Sequence, residues 1–404
     1  MCIRDRVSGS AMGNAVTVGT FTIPLMKHIG YPAVFAAAVE AAASTGGQIM
    51  PPVMGAVAFV LAEATMTPYR DVCIAAALPA VCYFASVYFM IDFEAVKLGL
   101  RGLPKSELPS FRKVLKEGWP FIVPIFVLVY LIIFGGRSVI LAAILSTLTA
   151  IITSGLWRRR WMGWKKFVNA LEEGTLGTME AAGACAAAGI IIGIFTMTGL
   201  GSRFVVLILE FGGSSLIISL LLVMALTLFL GFPLPTVPAY ILTAAVGAPV
   251  LVQLGVPILA AHLFVMYYAC VSTITPPVAF AAYAAAGIAK SDPNATGWQA
   301  TRLGIVAYII PFMFVTNPHI LFVGAWYEIL AATVMGFCSA WALAGCVNSY
   351  YHPLLRVGLG AASIVVLFHE WNFQVIGVAI IAAIVLIQRT IERKKAAGSR
   401  EARG

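Results

Sequence analysis

Long apolar stretches alternate with short polar or basic segments along the whole chain. A helix needs about 20 apolar residues to cross the hydrocarbon core of a bilayer, although roughly 17 can suffice. This pattern predicts membrane-spanning helices at 33–65, 71–96, 119–135, 137–156, 176–200, 213–231, 238–253, 257–288, 302–317, 326–347, 354–368 and 372–388. The segments 33–65 and 257–288 are too long for one crossing and carry internal breaks, so we expect discontinuous helices there.

The composition supports an all-α integral membrane protein. Of 404 residues, 61% are apolar and 11% are charged, whereas a soluble domain averages roughly 45–50% apolar and about 25% charged residues. So few charges cannot cover a surface that faces water, which excludes a soluble enzyme, a nucleic-acid-binding module and a disordered chain. The seven cysteines show no CxxC spacing and no His/Cys cluster, so they predict small core residues rather than a zinc site.

Basic residues indicate which side of the membrane each loop faces. The chain holds 26 Lys and Arg against 17 Asp and Glu, a net charge of +9. The Lys and Arg residues are concentrated between 97 and 117, between 158 and 166, and from 389 to the end. Since cytoplasmic loops carry the excess of Lys and Arg, all three clusters and the C-terminus should be cytoplasmic. This orientation requires that 213–231 and 238–253 form one re-entrant hairpin and that the turn before the last span is external.

The two interrupted spans match each other at a constant offset of 225 residues. Gly-x-Pro occurs at 30–32 and again at 255–257, and Pro-Pro occurs at 51–52 and again at 276–277. Five predicted crossings separate the two copies, an odd number, so they should point in opposite directions. Inverted repeats with broken helices are typical of secondary transporters, whose substrate and ion sites lie near the membrane midplane.

The second copy begins with a hairpin leg and a further span, and the first copy has neither. We therefore expect the natural protein to extend upstream of this sequence. The resulting domain prediction is a non-native start at 1–7, a first repeat at 8–118, a second repeat at 119–318, extra transmembrane helices at 319–388 and a cytoplasmic basic tail at 389–404.

The chemistry of such a transporter should lie where a hairpin tip faces a helix break. A helix N-terminus offers free N–H groups and a partial positive charge to an anion, and unwound backbone offers carbonyl oxygens to Na⁺. We assign to the substrate four polar residues of the tips and breaks: Ser10, Asn14, Thr236 and Thr273. We assign to Na⁺ six residues that offer hydroxyl or carbonyl oxygens: Ser8, Gly46, Gly47, Gly231, Pro233 and Thr275. The alternative for each Ser and Thr is a hydrogen bond to its own helix or close helix packing.

Ionisable groups are rare within apolar spans and are candidates for function there. Glu40 and Glu180 are candidates for proton or substrate coupling, and the alternative is a helix-end carboxylate that reaches the interface. Glu63 and His262 lie closer to their span ends. A lone histidine such as His262 favours a satisfied core residue. The segment 167–175, polar and rich in nearby tryptophan, predicts a helix lying in the membrane interface.

Several motifs resemble those of a TRAP transporter permease, the large DctM-type subunit. They are SGSAMGNAVTVG at 8–19, EAAASTGGQIMPP at 40–52, AAGACAAAGIIIGIFTMTGLGSRF at 181–204, GFPLPT at 231–236 and TITPP at 273–277. The stretch PFMFVTNP at 311–318 and the extra C-terminal spans resemble the form in which the small and large subunits are one polypeptide. The resemblance runs from residue 8 to about 388.

This resemblance implies an elevator-type importer of organic anions, often C4-dicarboxylates, driven by Na⁺ as coupling ion. It also implies a periplasmic substrate-binding protein of the TAXI type, the small-subunit portion as a further partner, and the bacterial inner membrane as location. The family's sodium and substrate sites lie at the hairpin tips and helix breaks, which here carry the residues assigned above. Two departures stand out, because the small-subunit portion is absent and the second tip carries Pro-Leu-Pro at 233–235 in place of an acidic residue.

Three other functions compete with this interpretation. A stand-alone Na⁺/dicarboxylate symporter of the divalent-anion type would share hairpins and broken helices but would need no binding protein. An intramembrane enzyme would need paired aspartates or a metal-binding motif, and the sequence contains neither. A channel is disfavoured because hairpins and helix breaks that meet within the bilayer favour alternating access.

Overall fold

The computed structural model describes residues 9–100, 102, 110–158, 163–213, 215–349, 351–366 and 371–401. Within these residues the chain is helical, without strands. The α-helices are α1 Ala11–Ile29, α2 Ala33–Gly47, α3 Ala56–Ala64, α4 Tyr69–Leu98, α5 Phe111–Ile133, α6 Val139–Arg158, α7 Trp164–Thr198, α8 Leu200–Gly212, α9 Leu216–Gly231, α10 Thr236–Gln253, α11 Ile258–Val271, α12 Phe280–Ala289, α13 Pro293–Leu303, α14 Val306–Thr316, α15 Trp326–Asn348, α16 Pro353–Val365 and α17 Trp371–Glu401. Two 3₁₀ turns lie at Ser272–Ile274 and Pro318–Leu321.

Most predicted spans coincide with one helix or with a pair of shorter ones. Among the described residues, five helical segments are long and apolar enough to cross a bilayer: Tyr69–Leu98, Val139–Leu156, Thr236–Gln253, Pro293–Thr316 and Trp326–Asn348. Most of the other helices are shorter and apolar, as expected where hairpin legs and half-helices end within a membrane. The predicted all-α membrane class is therefore consistent with the structure.

Both long apolar segments are broken at the predicted positions. α2 ends at Gly47 and α3 starts at Ala56, whereas α11 ends at Val271 and α12 starts at Phe280. A proline within the break removes a backbone donor and clashes one turn back, so a regular helix cannot continue. We call the irregular residues 48–55 break one and residues 272–279 break two.

The same backbone features recur 225 residues apart. Both Pro-Pro bonds, Pro51-Pro52 and Pro276-Pro277, are cis. Met54 and Ala279 are equivalent at this offset, and both have the positive φ that is uncommon for residues other than glycine, 52° and 33°. The sequence repeat therefore corresponds to a repeat of local structure, with α1–α3 matching α10–α12.

The two copies pack into each other rather than side by side. In copy one, α1 and α2 contact α12, the last helix of copy two, and α10 and α11 contact α3 in return. The residues buried along α2 and α12 are mostly alanines. Small side chains let helix backbones approach closely, which favours association of helices in a membrane. Each break is thereby enclosed by helices of both copies.

The polar segment 167–175 belongs to one long helix. α7 is continuous over 35 residues, Trp164–Thr198, which at 1.5 Å per residue spans about 50 Å. Residues 167–175 therefore continue directly into the apolar part of α7 instead of forming a helix of their own. Their placement in the membrane interface stays a prediction, because a helix longer than the hydrocarbon core of about 30 Å can carry a polar first part beyond it.

The C-terminal helices form a layer on α4. α15 packs along α4, α16 packs on α15, and α17 packs on α16. The Asn348 side chain donates a 2.9 Å hydrogen bond to the Met90 carbonyl of α4. The guanidinium of Arg356 donates to the carbonyls of Cys346 and Val347 at 2.8 and 2.7 Å, which closes the turn between α15 and α16.

Candidate functional site

The tip that precedes α1 lies directly against break one. Gly9 has φ 69°, and a Cβ at this position would come within 2.9 Å of the Met54 carbonyl oxygen, so only glycine fits both the conformation and the space. Ser10 follows as the N-cap of α1, and its hydroxyl accepts a hydrogen bond from the Gly13 N–H at 3.2 Å. Asn14, predicted to contact the substrate, is buried in the next turn.

Gln48, at the start of break one, joins both tips to that break. Its side chain is 4% exposed, and its amide nitrogen lies 3.0 Å from the Thr236 hydroxyl and 3.3 Å from the Gly9 carbonyl oxygen. The Thr236 hydroxyl also lies 3.2 Å from the Gln48 amide oxygen. One side chain therefore connects the tip of copy one to the first residue of α10 in copy two.

A second polar contact joins the last turn of α2 to break two. The hydroxyls of Thr45 and Thr273 lie 3.2 Å apart, and both side chains are buried. Thr273 also donates to the Cys270 carbonyl at 2.7 Å. Thr45 and Thr273, together with the groups that Gln48 connects, form a line of polar groups between the two copies. We call this line the polar seam, and its residues are Gly9, Thr45, Gln48, Thr236 and Thr273.

The predicted cation ligands are not among the residues of the polar seam, and two of them bond to other groups. The Gly231 carbonyl accepts from the Ser272 hydroxyl at 3.3 Å. The Thr275 hydroxyl contacts the Tyr308 hydroxyl on α14 and donates to the Val271 carbonyl at 2.7 Å.

The other three predicted ligands that the structure describes differ in exposure. Gly46 is buried, Gly47 is half-buried and Pro233 is exposed. A Cβ at Gly46 would lie 2.4 Å from the Tyr83 ring of α4. Ser8 lies outside the described residues.

Sequence reasoning missed Gln48 as a central residue of this site. It weighed the hydroxyls of the tips and the glycines beside the Pro-Pro break, and it passed over the amide that directly follows Gly46-Gly47. The available signal was a long polar side chain in an otherwise apolar stretch, three residues before Pro51. A buried amide of this kind requires hydrogen-bond partners, which could have marked it in advance.

The ionisable residues of the spans have different environments. Glu40 is 2% exposed in the middle of α2, so the interpretation as a helix-end carboxylate that reaches the interface is wrong for it. Glu63 is exposed. The His262 ring nitrogen lies 2.7 Å from the Tyr240 hydroxyl, which confirms a satisfied core residue. The side chain of Glu180 lies outside the described part of the structure.

The polar seam offers neutral donors and acceptors. It combines an amide, three hydroxyls and a backbone carbonyl, and the N-termini of α1 and α10 begin at its two tips. Free N–H groups at helix N-termini attract anions, and hydroxyl and carbonyl oxygens suit a hard cation. Among the described residues, no group of three or more His, Cys, Asp or Glu is placed to hold a metal ion. The arrangement suits non-covalent binding of a small anion together with a monovalent cation.

Comparisons with known proteins agree with this picture. Residues 5–329 match the family described as "Tripartite ATP-independent periplasmic transporter, DctM component". The chain is also 26% identical over 305 residues to "Uncharacterized protein y4mL" of Sinorhizobium fredii (strain NBRC 101917 / NGR234), an alignment that covers 72% of this chain and 68% of that protein. The family match includes both copies of the repeat and ends within the first turn of α15.

Proposed function

Because the chain belongs to the DctM family of TRAP transporter large permease components, we propose that it imports organic anions, such as C4-dicarboxylates or related carboxylates. An inward Na⁺ gradient drives this import. The protein is a multi-pass membrane permease subunit and not an enzyme. Membership of the family implies a periplasmic binding protein and a small subunit as partners. The direction, the driving ion and the substrate class are the parts we propose.

The observation that carries this proposal is the polar seam. It is buried between the two copies, at the meeting point of two helix N-termini and two helix breaks, and Gln48 and Thr236 hold it together. A carboxylate that enters the seam would find N–H and O–H donors. A cation would find hydroxyl and carbonyl oxygens close by. Binding of both partners at one place is what couples their movement.

The repeat supports an elevator mechanism with inverted repeats. α1–α3 and α10–α12 interlock, so the tips and breaks can move as one body that carries the seam. α4, with α15 packed along it and α16 packed on α15, would belong to the static scaffold against which that body moves. Rigid-body motion of one unit against another around a fixed site is the usual basis of alternating access.

The proposal extends to partners and orientation. α15–α17 lie almost entirely beyond the family match and resemble the fused form, which favours a TAXI-type binding protein as the donor of substrate. The basic clusters favour a cytoplasmic C-terminus in a bacterial inner membrane. Ser10, Asn14, Thr236 and Thr273 remain the proposed substrate residues, to which we add Gln48. For Na⁺, the proposed ligands remain Ser8, Gly46, Gly47, Gly231, Pro233 and Thr275.

Reconstitution in proteoliposomes tests the proposal. The full-length protein and its small-subunit portion would be assayed for uptake of labelled C4-dicarboxylates, with and without an inward Na⁺ gradient and with and without the cognate binding protein. We expect uptake only when both are present. Uptake that needs Na⁺ alone would assign the protein to the stand-alone symporters, and uptake independent of any ion gradient would refute secondary transport.

A further inference from the structure

Glu40 stands at the centre of a buried polar cluster that is separate from the polar seam. Its carboxylate accepts hydrogen bonds from the Thr22 hydroxyl of α1 and, at 3.3 Å, from the Ser44 hydroxyl one turn further along α2. The stem of the side chain packs closely on α1, since a Cβ at Gly19 would lie 3.3 Å from Glu40 Cγ, and Ile288 of α12 lies against the same glycine, with Cδ1 at 3.4 Å. We call Thr22, Glu40 and Ser44 the Glu40 cluster.

The carboxylate has no cationic partner among the described residues. The ion pairs there join Lys97 to Glu94 and His319 to Glu328. A buried carboxylate that receives only hydroxyl hydrogen bonds is strongly disfavoured in its charged form unless a positive charge joins it. The cluster therefore holds a carboxylate whose charge a bound monovalent cation could balance.

Several ionisable groups on the helices packed against α2 bond to groups other than Glu40. On α1, Lys27 donates to the Ala289 carbonyl at 2.9 Å. On α4, the Tyr83 hydroxyl donates to the Ala42 carbonyl at 2.8 Å.

On the helices of copy two the situation is the same. On α12, the Tyr283 hydroxyl donates to the Pro277 carbonyl at 2.7 Å, and on α13, Arg302 donates to the Val347 carbonyl at 3.3 Å. None of these groups supplies the missing charge.

Copy two of the repeat provides an internal control for this cluster. At the offset of 225 residues, Thr22, Glu40 and Ser44 correspond to Gly247, Val265 and Ala269. The geometry is preserved. A Cβ at Gly247 would lie 3.4 Å from the Val265 side chain, and this pair occupies the positions at which Thr22 contacts Glu40 in copy one. The same helix packing thus forms without any polar group, so the fold does not require the cluster.

We propose that the Glu40 cluster binds one monovalent cation, Na⁺ or H⁺, that is coupled to transport. This inference rests on the proposed function for the coupling, but the binding itself does not. One carboxylate is balanced by a single positive charge, and two hydroxyls beside it supply further hard oxygens. A divalent ion is disfavoured, because Ca²⁺ takes six to eight oxygens, usually from several carboxylates. α1 and α2 also carry the first tip and break one, so occupancy of the cluster can influence the polar seam.

Thermal unfolding of the purified full-length protein in detergent measures this binding without substrate. One series raises Na⁺ at fixed pH with choline keeping the ionic strength constant, and a second varies pH without Na⁺. Ligands that bind only the folded state raise the Tm with concentration. We expect the wild type to gain Tm with one of the two cations, which identifies the ion. Glu40→Gln should gain measurably less, because the Na⁺ ligands proposed at the tips and breaks remain in that variant.

Matched variants separate the site from a general loss of charge or packing. Glu63→Gln removes an exposed carboxylate in α3 and should respond like the wild type. Thr22→Val should weaken the response, and Thr22→Ser, which restores the hydroxyl, should recover it. If Glu40→Gln does not fold, the pair of Thr22 variants decides the outcome.

The proposal is overturned if Glu40→Gln keeps the wild-type response, if the two Thr22 variants behave alike, or if the wild type responds to neither ion. Failure of the proposed transport function would look different. In that case the Tm response would remain, and proteoliposomes would show no gradient-driven uptake of dicarboxylates.

Discussion

The hydrogen bond between Gln48 and Thr236 gives a direct test of the polar seam. Thr236→Val keeps the shape of the side chain and removes its hydroxyl, which leaves the buried Gln48 amide with only the Gly9 carbonyl, 3.3 Å away. Gln48→Leu removes the other partner. The double variant replaces both partners by apolar groups, which restores a matched contact between break one and α10.

The expected magnitude follows from burial. Gln48 is 4% and Thr236 is 5% exposed, so water cannot replace the lost bond. A buried polar group left without its partner costs about 1–3 kcal/mol, which is our expectation for each single variant. Double-mutant cycles in membrane proteins give side-chain hydrogen bonds about 0.6 kcal/mol on average and about 1.7 kcal/mol at most. We therefore expect the double variant to be less destabilised than the sum of the single variants by about 0.6–1.7 kcal/mol.

Reversible unfolding in mixed detergent and SDS micelles measures these differences. The matched control is Thr243→Val in the same helix, because Thr243 is fully buried and its hydroxyl bonds only to carbonyls of α10, at 2.7 and 3.4 Å. Its loss should cost less than about 0.5 kcal/mol. Equal costs for Thr236→Val and Thr243→Val, together with an additive cycle, would refute the reasoning that the seam couples the two copies.

Three further predictions follow from single sites. Gly46→Ala should destabilise the protein by about 1–3 kcal/mol by overpacking against Tyr83. Gly287→Ala, with open space around the glycine, should be neutral or stabilising by up to about 1 kcal/mol. Thermal unfolding distinguishes the two variants, and equal changes in Tm would contradict the contact between Gly46 and Tyr83. Ser10→Ala, which removes a proposed substrate contact, should raise the KM for substrate without preventing membrane insertion, and an unchanged KM would count against the tip assignment. Asn348→Leu should cost about 1 kcal/mol by loosening α15 from α4 and leave the KM for substrate unchanged, and a shifted KM would place this layer in the transport cycle.

Several features were predictable because they depend on local backbone chemistry. A proline pair cannot be accommodated within a helix, so the breaks of α2 and α11 follow from residues 51–52 and 276–277 alone. The span boundaries follow from the length of apolar runs, since a bilayer requires a minimum length. The continuity of 167–175 with α7 could not be predicted in this way, because the rule for span length does not say how far a helix continues beyond the hydrocarbon core.

The partnerships within the site were decided only by tertiary structure. Gln48 and Thr236 are 188 residues apart in sequence, and Glu40 and Thr22 belong to different helices. The sequence by itself determined that the chain is a helical membrane protein with a repeated broken helix and hydroxyl-bearing tips. It did not determine that the two copies interlock, which places α12 on α2 and brings Thr273 to Thr45. Hydropathy and breaks act within one helix, whereas the choice between two helix faces depends on small-residue contacts summed over the whole assembled bundle.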